Sequence, residues 1–257
     1  MTKTASFHDL QSASVFITGG GSGIGAALTD GFLAQGAQVA FIGRSDASEF
    51  VNEMAQKHGR TPLFVQGDIT DTNQLSSAIA RASAAHGPVT VLVNNAANDQ
   101  RHDWRDTTPE FWDAMQSINL KAYFFAIQAT AKGMIANGKG GTIINFSSIS
   151  YIMGNAGYPA YTSANAAITG LTRSMARELG PDEIRVNALA PGWVLTQKQL
   201  DKWATPDALA AHLERQCIPE HLVPQDIVDG VLFLASGTSR MMTGQCMAVD
   251  GGVVVSG

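Results

Sequence analysis

The chain has 257 residues, of which 45% are hydrophobic and 15% charged, and a formal net charge of −5. That length can bury a sizeable core, and the acidic balance without any basic stripe argues against a nucleic-acid partner. No run reaches the roughly 20 apolar residues of a membrane span, and the first stretch carries Lys3, His8 and Asp9 rather than an apolar leader, so a soluble cytoplasmic protein is expected.

Short apolar runs alternate with amphipathic stretches along the whole chain. Residues 14–18 read as a strand and 23–35 as a helix, followed by a strand at 38–42 and a helix at 47–58. Further strands are expected at 63–66, 89–93 and 142–146, with helices at 73–85 and 109–137 between them. A helix at 159–179, a strand at 184–189, a helix at 224–235 and a strand at 245–249 complete the series. Strands alternating with helices imply a doubly wound parallel sheet covered on both faces. The chain reads as one domain over 1–257, with a cofactor half at about 1–140 and a catalytic and substrate half at about 141–257. The segment 192–223 is the least regular, broken at Trp193, Trp203 and Pro206. An insertion there would lie over the ligand crevice at the carboxyl ends of the last strands. Cys217 and Cys246 match no metal or redox spacing and are expected as buried thiols.

Three segments carry chemistry. The run Thr18-Gly-Gly-Gly-Ser-Gly-Ile-Gly25 follows the first strand and opens the first helix. There, glycines let a backbone and a helix N-terminus approach a pyrophosphate. The second strand ends in Gly43, Arg44 and Ser45 instead of the acidic residue that binds an adenosine ribose diol. Arginine can pair with a 2′-phosphate, so NADP is favoured over NAD, with Ser22 as a second phosphate contact. The third segment joins Ser147 and Ser148, at the end of an apolar run, to Tyr161 and then Asn165 one helical turn on.

These motifs resemble the short-chain dehydrogenase/reductase family, whose sites carry a serine, a tyrosine and a lysine four residues after the tyrosine. The resemblance implies a Rossmann-type fold with a seven-stranded sheet, and it places Gly19, Gly23, Ile24 and Gly25 at the pyrophosphate. It puts Asp68 and Ile69 at the adenine, although Asp68 alone could equally cap a turn at Thr70. Asn94 and Ala96, in a segment similar to the family's NNAG, become backbone-type cofactor contacts. Pro191, Gly192, Val194 and Thr196 are expected to meet the nicotinamide carboxamide. Asn119 matches the residue that kinks its helix and holds a relay water, Ser148 the serine that orients the substrate oxygen, and Tyr161 the general acid/base. A homotetramer is also implied, paired through the 109–137 and 159–179 helices and through the apolar closing segment 249–255.

Asn165 stands where the family has its lysine. A free phenol has a pKa of about 10, so about 0.1% is ionised at pH 7. A lysine ammonium roughly 4 Å away would favour the phenolate by up to about 4 kcal/mol, which moves the ionisation by about three pH units. Asparagine supplies a dipole without charge, so a rate loss of about two to three decades is expected, with the fold intact. A natural low-activity branch and a deliberate replacement of lysine would both give this sequence.

The polar loop Asn98-Asp-Gln-Arg-His102 follows the fourth strand and suits a ligand rich in hydroxyls, or equally a solvated loop. Together with 146–151 and 202–206 it resembles the sugar dehydrogenases that oxidise aldoses such as D-xylose at carbon 1. Asn98, Arg101, Tyr151, Asn155 and Trp193 are the residues expected near the sugar, in addition to Ser148, and His102 is expected to brace its loop. The sequence thus reads as an NADP-dependent aldose 1-dehydrogenase giving an aldonolactone. A reductase of ketones or 3-oxoacyl groups, and a non-catalytic NADP-binding protein, are the alternatives.

Overall fold

Seven apolar runs pair edge to edge and all in one direction. They are β1 (Ser14–Thr18), β2 (Gln38–Gly43), β3 (Leu63–Gln66), β4 (Val91–Asn94), β5 (Gly141–Phe146), β6 (Ile184–Pro191) and β7 (Cys246–Val249). The computed structural model describes residues 5–255, with the strands in the order β3-β2-β1-β4-β5-β6-β7. Val15, Phe16 and Ile17 are consecutive and all wholly buried. Neighbouring strand residues point to opposite faces, so both faces of this sheet must be covered.

Helices α1 (Gly23–Ala34), α2 (Ser48–His58), α3 (Thr72–His86), α4 (Pro109–Gln116) and α5 (Ala122–Asn137) come from the first half of the chain. The second half adds α6 (Ser150–Met153), α7 (Pro159–Leu179), α8 (Gln197–Lys202), α9 (Pro206–Leu213) and α10 (Pro224–Ala235). On one face, Leu28 and Phe32 of α1 and Val228 and Val231 of α10 pack with Val15 and Ile17. On the other, Leu75 of α3 and Ile127 of α5 pack with Phe16, Ile42 and Leu92. Helices α1 and α10 touch so closely that a Cβ on Gly31 would lie 2.4 Å from Val228 Cγ1.

Several expectations are corrected here. The 109–137 stretch is not one regular helix: a π turn at Ser117–Lys121 separates α4 from α5, at the place where the resemblance put a kink. Its cause is Asn119, whose side-chain amide donates to the carbonyls of Met115 (2.9 Å) and Asn98 (3.0 Å). Such single widened turns are common beside functional sites. The segment 192–223 is not irregular either, since it contains α8 and α9. Thr196 and Thr205 cap those helices by accepting from the amides of Gln199 and Ala208, and Pro206 opens α9 rather than breaking it. Cys217 is exposed rather than buried, and Cys246 is only part-buried.

Arg185 of β6 fastens the end of α10. Its guanidinium donates to the carbonyls of Leu234 (2.8 Å) and Ser236 (3.1 Å) and to Ser239 Oγ (3.0 Å). Carbonyls at a helix C-terminus have no partner within the helix, and a cation suits that end. Among the described residues no helix is long and apolar enough to cross a membrane.

Candidate active site

The sheet order reverses between β1 and β4, and at the carboxyl ends of these strands opens a cleft of about 1040 Å³. The glycine turn after β1 forms its floor: Gly19, Ser22, Gly23, Ile24 and Gly25 all line it. Gly19 and Gly23 have φ of +71° and +52°, and a Cβ on Gly25 would lie 1.9 Å from the Gly19 carbonyl oxygen. No side chain can be added at Gly25 without moving that turn. The first turn of α1 holds no acidic residue, which leaves its free amides to an anion. Thr18 Oγ1 accepts from the amides of Asn95 (2.9 Å) and Ala96 (3.1 Å), and Asn95 donates to the carbonyls of Thr18 and Gly19. These bonds lock the ends of β1 and β4 together. Asn95, not singled out from the sequence, is therefore the residue that braces the glycine turn.

Arg44, Ser45, Asp68 and Ile69 line the far end of the cleft. The Arg44 side chain is 70% exposed, with Nη1 4.0 Å from an Asp68 carboxylate oxygen. Asp46 also borders this end, but its carboxylate accepts from the amide (3.1 Å) and hydroxyl (2.6 Å) of Ser48 at the start of α2. Asp68 accepts from the Thr70 amide and hydroxyl, while Asp71 is the residue that caps α3. Asn94 does not line the cleft, contrary to expectation. It is wholly buried, donating to Asn145 Oδ1 (3.0 Å) and the Tyr123 carbonyl (3.4 Å), while Ala96 reaches the cleft wall.

Ser148, Tyr161 and Asn165 meet in the middle of the cleft beside Pro191, Gly192, Val194 and Thr196. Ser148 follows β5, and its Oγ accepts from the Ser150 amide at 3.1 Å. Its neighbour Ser147 turns inward and donates to the Asn165 carbonyl at 2.9 Å, a structural bond. Burial, and then the negative charge of Asp99, push the Tyr161 phenol up to about 12 against the smaller opposing pulls of Ser148 and Asn165. Tyr158 stacks on Tyr161 with ring centroids 5.4 Å apart, and the Arg101 guanidinium lies 3.6 Å from the Tyr158 centroid. Asn119 is buried and does not line the cleft; its side chain holds the backbone of Asn98, accepting from the amide (2.8 Å) and donating to the carbonyl.

Of the residues expected near a sugar, Arg101, Asn155 and Trp193 line the cleft, as does Ser148. Asn98 and Tyr151 do not. Asn98 has its backbone tied to Asn119, and the next residue, Asp99, faces the cleft instead. Tyr151 sits on the single turn of α6, and its phenol lies against Thr169 and Cys246. Asp99 is bound by Lys198 Nζ and by Gln199 Nε2 (2.7 Å), and Gln199 accepts from Trp193 Nε1 (2.9 Å). Burial pushes the Asp99 carboxyl up, but the Lys198 ammonium and the Gln199 amide hold it below the ordinary carboxylate range. His102 braces its loop, donating its backbone amide to Gly157 (2.8 Å) and accepting from the Ala160 amide at Nε2.

The chain is similar to known proteins along nearly its whole length. A family model described as "Enoyl-(Acyl carrier protein) reductase" matches residues 19–254. A protein of Rhizobium meliloti (strain 1021) named "Probable galactose dehydrogenase GalD" is 45% identical over 252 residues, covering 97% of this chain and 98% of its own. A D-xylose 1-dehydrogenase of Caulobacter vibrioides (strain NA1000 / CB15N) is 41% identical over 251 residues, with coverages of 97% and 98%. Among solved structures, a blue fluorescent protein from a metagenomic library, in complex with NADPH, superposes with a TM-score of 0.87 at 34% identity, covering 96% of this chain and 100% of its own. The chain belongs to the short-chain dehydrogenase/reductase family, as an oxidoreductase of CH–OH groups related to sugar dehydrogenases and served by a nicotinamide cofactor.

Proposed function

We propose that the protein oxidises an aldose at its anomeric carbon with NADP, giving an aldonolactone, at a rate held down by Asn165. The observation that carries the reading is the meeting of Ser148 and Tyr161 in mid-cleft, beneath a mouth formed by Asp99, Arg101, Asn155 and Trp193. Such a mouth offers both donors and acceptors to a polyhydroxylated ligand. The named activities of the galactose and D-xylose dehydrogenases support the same substrate class. NADP is supported by the exposed Arg44 guanidinium at the far end of the cleft.

Gly19, Gly23, Ile24, Gly25 and Ser22 would hold the pyrophosphate, Arg44 and Ser45 the 2′-phosphate, Asp68 and Ile69 the adenine, and Pro191, Gly192, Val194 and Thr196 the carboxamide. When bound, the nicotinamide supplies the acceptor for the hydride that leaves the anomeric carbon. Tyr161 takes the proton of the anomeric hydroxyl, and Ser148 Oγ holds the same oxygen in place. With the phenol pushed up to about 12 by burial and by Asp99, only a small fraction is phenolate at neutral pH. That small fraction is the physical source of the slow oxidation. One observation favours a second reading, reduction of a ketone: a neutral phenol is the form a reductase needs as its acid. Incubation with NADP and a panel of aldoses, with the product identified by NMR, tests the assignment. Aldonolactone formation is expected, and turnover confined to ketones and NADPH would replace the first reading by the second.

A homotetramer completes the proposal. Phe124 and Ile135 of α5 are 40% and 44% exposed, and Val255 of the closing segment is 84% exposed, which are apolar surfaces suited to copies of the same chain. Light scattering at micromolar concentration should give four chains per particle; a monomer refutes it.

A further inference from the structure

We propose that Asp99 determines substrate specificity: its carboxylate, fixed by Lys198 and Gln199, accepts hydrogen bonds from hydroxyl groups that flank the reacting carbon of the substrate. Asp99 sits on the loop that follows β4, lines the cleft and faces Tyr161 closely enough for its charge to act on the phenol. Its side chain is only 18% exposed. Lys198 Nζ binds Oδ1 and Gln199 Nε2 binds Oδ2 at 2.7 Å. An ionised carboxylate has about four acceptor positions; Lys198, Gln199 and the backbone amide of Asp99 itself occupy three, so at least about one remains for a ligand hydroxyl. Gln199 is also held by Trp193 Nε1, and the backbone that carries Lys198 and Gln199 is fixed in α8 by the Thr196 cap.

A fixed, ionised acceptor beside the general base discriminates by chemistry. A hydroxyl donates to it and replaces the water lost on binding, whereas a methylene at the same place leaves a desolvated anion unmatched. The site therefore reads a vicinal polyol and rejects an otherwise similar simple alcohol or deoxygenated analogue. The titratable and charged groups facing Asp99 are Lys198 from α8 and Tyr161 from α7.

The test compares the protein with its Asp99→Asn variant in NADP reduction, using one aldose and its singly deoxygenated analogues at each position other than the anomeric carbon. Asp99→Asn should raise KM about ten- to a hundredfold for the complete sugar. Most of that change should vanish for the one or two analogues that lack the hydroxyl bound by Asp99. At saturating sugar, the alkaline limb of kcat should move to lower pH, because a negative charge facing Tyr161 is gone. An equal loss across all analogues marks a merely structural residue and overturns the assignment. Should Asp99→Asn fail to fold, Lys198→Met serves instead. It leaves a buried carboxylate without its ammonium, so KM for the complete sugar should rise as pH falls, with no such change for the discriminating analogue. A pH-independent KM overturns the assignment equally. The assignment rests on the sugar-oxidising reading, and the two fail differently. Turnover of another polyol but of no aldose removes that reading alone, and the deoxygenated series is then built on that polyol. A best substrate with a single hydroxyl or carbonyl group, or an absence of both turnover and calorimetric binding for every polyhydroxylated ligand, removes both.

Discussion

The side-chain amide of Asn165 donates to the backbone carbonyl of Tyr161, one turn earlier in α7, at 2.9 Å. Its hydrogen-bonding capacity is thus partly spent on its own helix, and no cation of the described residues acts on the phenol beside it. Replacing Asn165 with lysine should raise sugar oxidation by about two decades or more, because an ammonium near the phenol favours its ionised form by up to about 4 kcal/mol. The limb of the pH–rate profile should shift from the region of pH 12 towards neutrality, while the melting temperature stays within a few degrees. Reduction of a lactone or ketone, which uses the neutral phenol, should gain less. An unchanged rate and profile with every aldose would show that Asn165 is not the defect.

Cofactor choice is expected to depend on Arg44. Its exposed guanidinium has Asp68 at the limit of an ion pair, 4.0 Å away. A charge-assisted bond to the 2′-phosphate is worth roughly 1.5–3 kcal/mol, or about ten- to a hundredfold in Kd. Calorimetric titration should show NADP binding more tightly than NAD by that factor, and Arg44→Ala should abolish the difference. Equal affinities in the parent would rule out the role.

Gly25→Ala is expected to destroy cofactor binding, since its Cβ would stand 1.9 Å from the Gly19 carbonyl oxygen. The turn must then open, which misaligns the amides of α1 that face a pyrophosphate. Loss of at least about a hundredfold in NADP affinity is expected, read by fluorescence titration. Wild-type affinity would mean that the turn tolerates displacement.

How much of this was legible beforehand follows from what each residue must satisfy. The glycine turn and the sheet were readable because backbone sterics and β-branched runs act locally. Asp99 was not picked out over Asn98, because neighbouring residues of an extended loop point to opposite sides, and only the bonds from Asn119 to the Asn98 backbone set the phase. Tyr151 failed for a similar reason: one turn of helix leaves its direction to Thr169 and Cys246, which are distant in sequence. The apolar spacing of 109–137 is that of an unbroken helix, so the kink at Asn119 came from the resemblance alone, and its form as a π turn depends on a partner in another loop. Asn94 carries a family motif yet packs inside, where a polar side chain is held by Asn145.

Arg185→Met should lower stability by about 2–3 kcal/mol, because it frees the carbonyls of Leu234 and Ser236 and the hydroxyl of Ser239 from a charged donor. Urea denaturation measures this directly. A change below about 0.5 kcal/mol would show that water replaces the guanidinium at the end of α10 without loss.

The segment that carries Thr196 and Gln199 also has a thermodynamic meaning. Thr196 packs against Gly23, where a Cβ would come within 3.2 Å of its methyl group, and three residues later Gln199 grips Asp99 on the opposite lip. One short stretch of chain therefore touches both the glycine-turn floor of the cleft and the wall formed by Asp99. A ligand seated against Gly23 would press on Thr196, and the same stretch would pass that pressure through Gln199 to Asp99, so binding at the floor and binding at the wall are expected to be coupled.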